Sequence, residues 1–330
     1  MKVLFVGLGS IGKRHLNNLL SLAQETEVLV YRHSKVEEDS PFKQYTDYDE
    51  ALQEFPDAVF ICNPTYLHVE FAIKAAKKGC HLFIEKPLSH NLNGVNELIK
   101  TVQENNLIAF IGCNLRFHPG LKKVKNLIEM KAIGEIYSVS VFAGQYLPDW
   151  RPYQDYRTTY SATEEKGGGV ILDLIHEFDY LYWLLGDFNE VCAFAGKVSN
   201  LEINSEDIAE ILLKTESGVI AHIHLDYLQR TYSRGCKVIG EKGTIIWDYS
   251  TNVIREYNIL DSEWKSYDIQ FDVNKMYEQE MNHFLKCIKH NDCPLVSLED
   301  GKRVLEVAAA AKKSAKEKIF IDLTERERCE

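Results

Sequence analysis

The sequence predicts an α/β protein in two parts: an N-terminal parallel sheet crossed by helices, then an α+β region built on a largely antiparallel open sheet. Three observations carry this. The first third alternates short apolar runs with amphipathic segments, the pattern of parallel strands joined by crossover helices. The chain opens with an apolar run, Val3 to Val6, that meets three glycines spaced Gly7-x-Gly9-x-x-Gly12, and a helical pattern with Leu16, Leu19, Leu20 and Ala23 on one face follows at once. After about Pro119 the texture changes to strand-length runs separated by turn signals such as Glu216-Ser217-Gly218 and Glu241-Lys242-Gly243. A chain of 330 residues suits two domains of ~150 residues each. The expected division is 1–118 and 119–330.

The elements follow in order. Val28–Tyr31 reads as the second strand and Ala58–Cys62 as a later one, with Asp47-x-x-Glu50 as a capping box between them. Thr65 is the expected cap of a helix whose apolar face is Val69, Ala72, Ile73 and Ala76, stopped by Gly79. His81–Ile84 is a strand, Leu92, Val95, Leu98, Ile99 and Val102 mark a helix, and Ile108–Ile111 closes the series. Beyond Pro119 a helix carries Leu121, Val124, Leu127 and Ile128. Strands are expected at Ile136–Tyr146, Val191–Val198, Ala209–Thr215, Val219–Tyr227, Lys237–Ile239 and Thr244–Trp247. One long helix at about Gly169–Leu185 interrupts them, and two more near Lys275–Lys289 and Leu298–Lys316 close the chain.

Bulk properties exclude several classes of function. The 45% hydrophobic and 26% charged content fits a globular protein with a full core. A formal net charge of −11, with both signs interleaved, argues against a nucleic-acid surface and against anionic lipid. The eight cysteines form no C-x-x-C pair and sit mostly in apolar runs, so reduced, buried thiols are expected rather than bridges or metal ligands. No window approaches the ~18 apolar residues of a membrane span. The glycines break up the N-terminal apolar run and Lys13-Arg14-His15 closes it, which argues against a secretory signal. A cytoplasmic protein without a metal is the expectation.

The N-terminal strand, glycine turn and helix have the form of a Rossmann dinucleotide site. Gly7 takes the tight turn, Gly9 leaves room for a pyrophosphate, Gly12 lets helix and strand pack closely, and the amides of Ser10, Ile11 and Gly12 open the helix toward the phosphates. An NAD site usually places an acidic residue at the end of the second strand. Here Tyr31-Arg32-His33-Ser34-Lys35 occupies that place. Arg32 and Ser34 are suited to a 2′-phosphate, which favours NADP over NAD.

Four features together resemble the Gfo/Idh/MocA family of NAD(P)-dependent oxidoreductases: the glycine turn at 7–12, Asn63-Pro64-Thr65-x-x-His68, Glu85-Lys86-Pro87, and Gly167-Gly168-Gly169 leading to Asp173 and His176. The resemblance implies a hydride transfer between a nicotinamide and a carbinol or carbonyl carbon of a sugar, cyclitol or nucleotide-linked sugar. It places Asn63, Pro64, His68, Glu85, Lys86 and Asn114 at the cofactor, with Lys86 beside the reacting carbon. Lys86 is suited to relay the proton of a substrate hydroxyl, and His176 to carry a proton with Asp173 orienting it. Asp173 and His176, at i and i+3, share a face if one helix spans both. Many relatives space that pair by four, whereas here the spacing is three.

Substrate contacts are expected from Arg116, which suits an anionic group, and from the aromatic stretch with Tyr146, Trp150, Tyr156 and Arg157, which suits a sugar's apolar face and hydroxyls. The open sheet of the second part implies, by resemblance, a homodimer or homotetramer. Two rival readings stand beside this one. The first is an enzyme whose tightly held NAD(P) serves a transient oxidation within a hydrolysis or elimination. The second is a non-catalytic NADP-binding sensor.

Overall fold

The computed structural model describes residues 1–33 and 40–324. The chain divides into two compact units, Met1–Asn114 with Asp272–Leu305, and Leu115–Phe271 with the segment from Glu306 onward.

In the first unit β1 (Lys2–Val6), β2 (Glu27–Tyr31), β3 (Lys43–Tyr45), β4 (Ala58–Ile61), β5 (His81–Glu85) and β6 (Ala109–Gly112) make one parallel sheet in the order β3-β2-β1-β4-β5-β6. The crossovers run through α1 (Ser10–Leu22), α2 (Tyr48–Leu52), α3 (His68–Lys77) and α4 (Val95–Glu104). The strand order reverses between β1 and β4, which puts the topological switch point, where open parallel sheets take ligands, at their carboxyl ends. β3 was not expected; its three residues, Lys-Gln-Tyr, are too short and polar for periodicity to register. Asp47 caps α2 as expected, accepting from the amides of Asp49 and Glu50. Thr65 does not cap α3. It opens a 3₁₀ turn, Thr65–Leu67, and α3 begins only at His68 with no side-chain cap.

In the second unit α5 (Pro119–Glu129) leads into a sheet of β7 (Ile136–Gly144), β8 (Phe188–Gly196), β9 (Ile208–Thr215), β10 (Ile220–Asp226), β11 (Ser233–Gly240), β12 (Gly243–Asp248), β13 (Val253–Asn258), β14 (Glu263–Asp268) and β15 (Ile321–Asp322). Its order is β14-β13-β12-β11-β7-β10-β9-β8-β15, and every pairing is antiparallel except that of β7 with β10. The strands alternate: in β10 Ala221, Ile223 and Leu225 are buried while Ile220, His222 and His224 point the other way. That is the signature of a sheet packed on one face. Between β7 and β8 lie α6 (Leu147–Trp150), α7 (Val170–Asp173) and α8 (His176–Leu185). β13 and β14 had no signal strong enough to read, since β14 is exposed along nearly its whole length.

The chain then returns to the first unit through α9 (Val273–His290), and α10 (Leu298–Glu317) starts there. A single cut at 118 therefore misses this return. Its physical basis is a phenylalanine ladder. Phe5, Phe60, Phe83 and Phe110 are register partners on β1, β4, β5 and β6. Their centroids are 4.7, 4.8 and 5.2 Å apart, close to the strand spacing itself. Phe284 of α9 sets its edge on Phe60 and Phe83, at 5.5 Å from each, so a sheet face too apolar for water is covered by a helix late in sequence. Phe284→Ala is expected to cost about 3–5 kcal/mol, read as a lower urea midpoint for the first unit. A loss under about 1 kcal/mol would contradict this packing.

Candidate active site

The glycine turn is built on close backbone approaches. Gly7 has φ +91°, a conformation that favours glycine, and a Cβ there would lie 3.0 Å from the Cys62 carbonyl oxygen. A Cβ on Gly12 would stand 2.3 Å from the Gly7 carbonyl oxygen, well inside van der Waals contact. Gly9 differs: nothing lies within 4 Å of the place its Cβ would take. Gly9 is the N-cap of α1, and no side chain caps that helix. The turn thus joins two positions that need glycine for packing to one that leaves open space before an uncapped helix N-terminus. Ser10 is exposed and Ile11 half-buried beside it.

At the end of β4, the Asn63 side-chain oxygen and nitrogen are both buried without a hydrogen-bond partner. The next residue, Pro64, is exposed. His68 is 1% exposed, and both ring nitrogens face backbone carbonyls at 2.9 Å, Nδ1 that of Pro87 and Nε2 that of Asn63. Burial pulls its imidazole below the ordinary histidine range, against the pull of the two carbonyls. With its ring so engaged, His68 ties the turn after β4 to the turn after β5. The direct cofactor contact expected of it has no free ring nitrogen to use.

Glu85 ends β5, buried, with one carboxylate oxygen 2.5 Å from Nε2 of His15 and the other accepting from the Lys86 amide at 3.2 Å. Lys86 is half-buried at the carboxyl end of the sheet, and its bond to Pro87 is cis. Asn114 is buried in the 3₁₀ turn that follows β6. Arg32 stands half-buried at the end of β2, its amide donating to Tyr45 of β3 at 2.9 Å. No carboxylate occurs in the Tyr31-Arg32-His33 segment. Ser34 lies outside the described residues.

In the second unit the expected long helix is broken. The amides of Asp173 and Leu174 bond to Gly169 and Val170, whereas that of Glu177 bonds three residues back to Leu174, so the ladder is interrupted between α7 and α8. Asp173 ends one helix and His176 opens the next, and the shared face argued from i, i+3 spacing does not apply. Asp173 is held instead by phenols. Tyr227, wholly buried, donates to it at 2.5 Å, and the Tyr160 phenol feels its charge. The Asp173 carboxylate, with burial, pushes the Tyr160 phenol well up, and burial does the same to Tyr227 with Asp173 second. His176 is 9% exposed.

The glycines before α7 are needed for space. A Cβ on Gly168 would meet the Tyr160 carbonyl oxygen at 2.4 Å, and one on Gly169 would meet the Glu206 carboxylate at 2.3 Å. Glu206 accepts from the Ile171 amide at 3.4 Å and lies 3.4 Å from Lys312.

All five residues expected at the substrate from Arg116 and the aromatic stretch have partners within the protein. Arg116 is 2% exposed and bonds the Asp179 carboxylate through Nε and Nη2 at 2.7–3.1 Å. Its charge is matched within the protein by this buried carboxylate. Arg157 is exposed but bound by Asp155 and Glu202. Tyr156 accepts from the Glu202 amide at 3.2 Å. Tyr146 lies under the Arg230 guanidinium at 3.6 Å. Trp150 sets its ring edge-on to Tyr227 at 5.2 Å, and so backs the Asp173 cluster. Tyr227 escaped the sequence reading because an alternating strand makes its tyrosine look like core. Only a phenol at the end of a buried strand signals a buried partner.

A family model for an oxidoreductase family NAD-binding Rossmann fold matches residues 1–113. A second, for an oxidoreductase family C-terminal alpha/beta domain, matches residues 125–323. The chain belongs to the Gfo/Idh/MocA oxidoreductase family. Myo-inositol 2-dehydrogenase of Thermotoga maritima is 32% identical over 98% of this chain and 99% of its own. The 1,5-anhydro-D-fructose reductase of Ensifer adhaerens is 28% identical over 78% of this chain and 77% of its own. Among solved structures, levoglucosan dehydrogenase in complex with NADH and levoglucosan superposes with a TM-score of 0.88 at 19% identity, covering 99% of this chain and 100% of that one. That likeness concerns fold alone. The family, fold class and oxidoreductase activity read from the motifs therefore hold.

The Rossmann domain of this family is NAD-binding, and the residues present fit a nicotinamide dinucleotide. The space over Gly9 and the uncapped N-terminus of α1 suit a pyrophosphate. The unpartnered Asn63 amide has one donor and one acceptor side to offer the carboxamide of such a ring. Among the described residues no helix is long and apolar enough to cross a membrane. Asn63→Ala is expected to leave the melting temperature of the nucleotide-free protein unchanged or higher, since no hydrogen bond is lost. It should weaken nucleotide binding about tenfold, a difference of ~1.4 kcal/mol. Unchanged affinity in a fluorescence titration would contradict the assignment.

Proposed function

We propose that this protein is a cytoplasmic, homo-oligomeric dehydrogenase or reductase that prefers NADP and acts on a CH–OH carbon of a sugar or cyclitol. The single observation that supports it most is Lys86 at the carboxyl end of β5, next to a switch point whose glycine turn is open at Gly9 and whose Asn63 amide is unpartnered. The substrate class rests on relatives named for myo-inositol and 1,5-anhydro-D-fructose. NADP is favoured because Arg32, and no carboxylate, stands at the end of β2.

When bound, the nicotinamide supplies the hydride acceptor or donor. The chain's own task is the proton and the geometry. The open space at Gly9, in a turn that Gly7 and Gly12 keep tight, would hold the pyrophosphate with the amides of Ser10 and Ile11, and Arg32 would take the adenosine 2′-phosphate. Lys86 Nζ hydrogen-bonds to the reacting oxygen, and the His176 imidazole takes or returns its proton. Asp173 serves in this arrangement as an acceptor, because the buried Tyr227 hydroxyl donates to it. It anchors Tyr160 and Tyr227, whose raised phenols stay protonated and remain donors.

A second reading has one observation in its favour: a 2,7-anhydro-N-acetylneuraminate hydratase of Mediterraneibacter gnavus is 33% identical over 42% of this chain. Under it, a nucleotide survives purification and turnover needs none added. The primary reading is tested by a thermal-shift screen of NAD, NADP and a sugar panel, followed by kinetics on Lys86→Ala and His176→Ala. NADP should raise the melting point more than NAD at equal concentration, by linkage to the native state. Each variant should lose on the order of 10²-fold or more in kcat while binding nucleotide as the wild type does. Full activity in both would refute the roles.

A further inference from the structure

Lys86 lies on a short connection, and a lysine side chain has four rotatable bonds, so its placement depends on how firmly its backbone is fixed. Two buried histidines from different helices bear on that backbone, one through the Glu85 carboxylate and one through the Pro87 carbonyl. On the N-terminal side, His15 of α1, fully buried, meets Glu85 Oε1 at 2.5 Å while Glu85 Oε2 accepts from the Lys86 amide at 3.2 Å. On the C-terminal side, Nδ1 of His68 in α3 meets the Pro87 carbonyl at 2.9 Å. Phe83 and Tyr277 rings, 4.7 and 5.9 Å from the His15 ring, wall it in. The Glu85 carboxylate also has room made for it. Its register partner on β6 is Gly112, where a Cβ would stand 3.1 Å from Glu85 Oε1.

We propose that His15, acting through Glu85, and His68, acting through the Pro87 carbonyl, form a clamp on the backbone of Lys86, and that all three are positioning residues. A buried carboxylate held by an imidazole on one side and a peptide amide on the other has little freedom to turn. This assigns Glu85 to the protein's own framework rather than to the cofactor contact the motif implies. The inference rests on the reading of Lys86 as the group that handles the reacting oxygen.

The test uses the full chain in four forms: wild type, Glu85→Ala, Glu85→Gln and Gly112→Ala. Without nucleotide or substrate, hydrogen–deuterium exchange of the Lys86 amide reads the clamp directly. With NADP and myo-inositol, kcat is read beside the nucleotide dissociation constant. Glu85→Ala is expected to speed Lys86 exchange and to lower kcat by on the order of tenfold to a hundredfold, the scale of a misplaced reacting group, with nucleotide affinity unmoved. Glu85→Gln, whose amide can donate to His15 and accept from Lys86, should restore both. Gly112→Ala removes no polar group and crowds the carboxylate and the neighbouring Phe83 ring, so it covers the case in which Glu85→Ala does not fold; it should give an intermediate loss. Unchanged exchange and kcat in Glu85→Ala and Gly112→Ala would overturn the clamp. So would a fall in kcat and affinity together that Glu85→Gln fails to rescue. If wild type does not turn over myo-inositol, the substrate reading is at fault and the exchange rates alone decide the clamp.

Discussion

The constraint on which the N-terminal unit depends is how closely three pieces of backbone can approach: the turn after β1, the first turn of α1 and the end of β4. Gly7 sits tightly against the Cys62 carbonyl with a φ of +91°, and Gly12 lies against the Gly7 carbonyl at a distance no Cβ could occupy. Because those two positions are filled by backbone, α1 starts directly after β1 with its amides uncapped. The third glycine is free of this constraint. The space above it is the one part of the turn that the fold leaves unused.

The same logic of missing side chains recurs wherever a charged group needs room. Gly112 accommodates the Glu85 carboxylate, and Gly169 accommodates that of Glu206, which in turn accepts from the start of α7. In each case a buried acid is fixed by an imidazole, an ammonium or peptide amides, as burial of charge requires. Catalytic candidates lie close to these features in sequence: Lys86 directly after Glu85, and Asp173 and His176 shortly after the Gly169 turn that makes room for Glu206. Rigidity at the site therefore comes from buried polar pairs beside the reactive groups, with the reactive side chains at the edge of the packed region.

The parallel sheet and the glycine turn were legible because both are local: strand, turn and helix lie within the first 22 residues, and spacing alone distinguishes them. The strands of the second unit were legible where inward and outward residues alternate, as in β10, and illegible in β14, which is exposed on both sides. The return of α9 could not be read at all. Phe284 meets Phe60 and Phe83 across some 200 residues of chain, and no local pattern encodes such a pairing. Site residues behaved likewise. Lys86, Asn63 and the glycines stand in short motifs whose spacing is visible. Tyr227 and the Asp179 partner of Arg116 are long-range contacts that only folding brings into view. The carboxylate partners of Arg116 and Arg157 were likewise out of reach, because a guanidinium in a loop looks available until its carboxylate is found.

The central claim, that the open turn at Gly9 receives a dinucleotide, is tested most directly by the affinity of Gly9→Ala for NADPH. Gly9 has φ −67° and nothing within 4 Å of the added methyl, so the nucleotide-free variant should melt within about 2 °C of wild type or slightly higher. Its dissociation constant should rise tenfold or more, ~1.4 kcal/mol, because the methyl takes the space that the pyrophosphate needs. An intact fold with wild-type affinity would contradict the account.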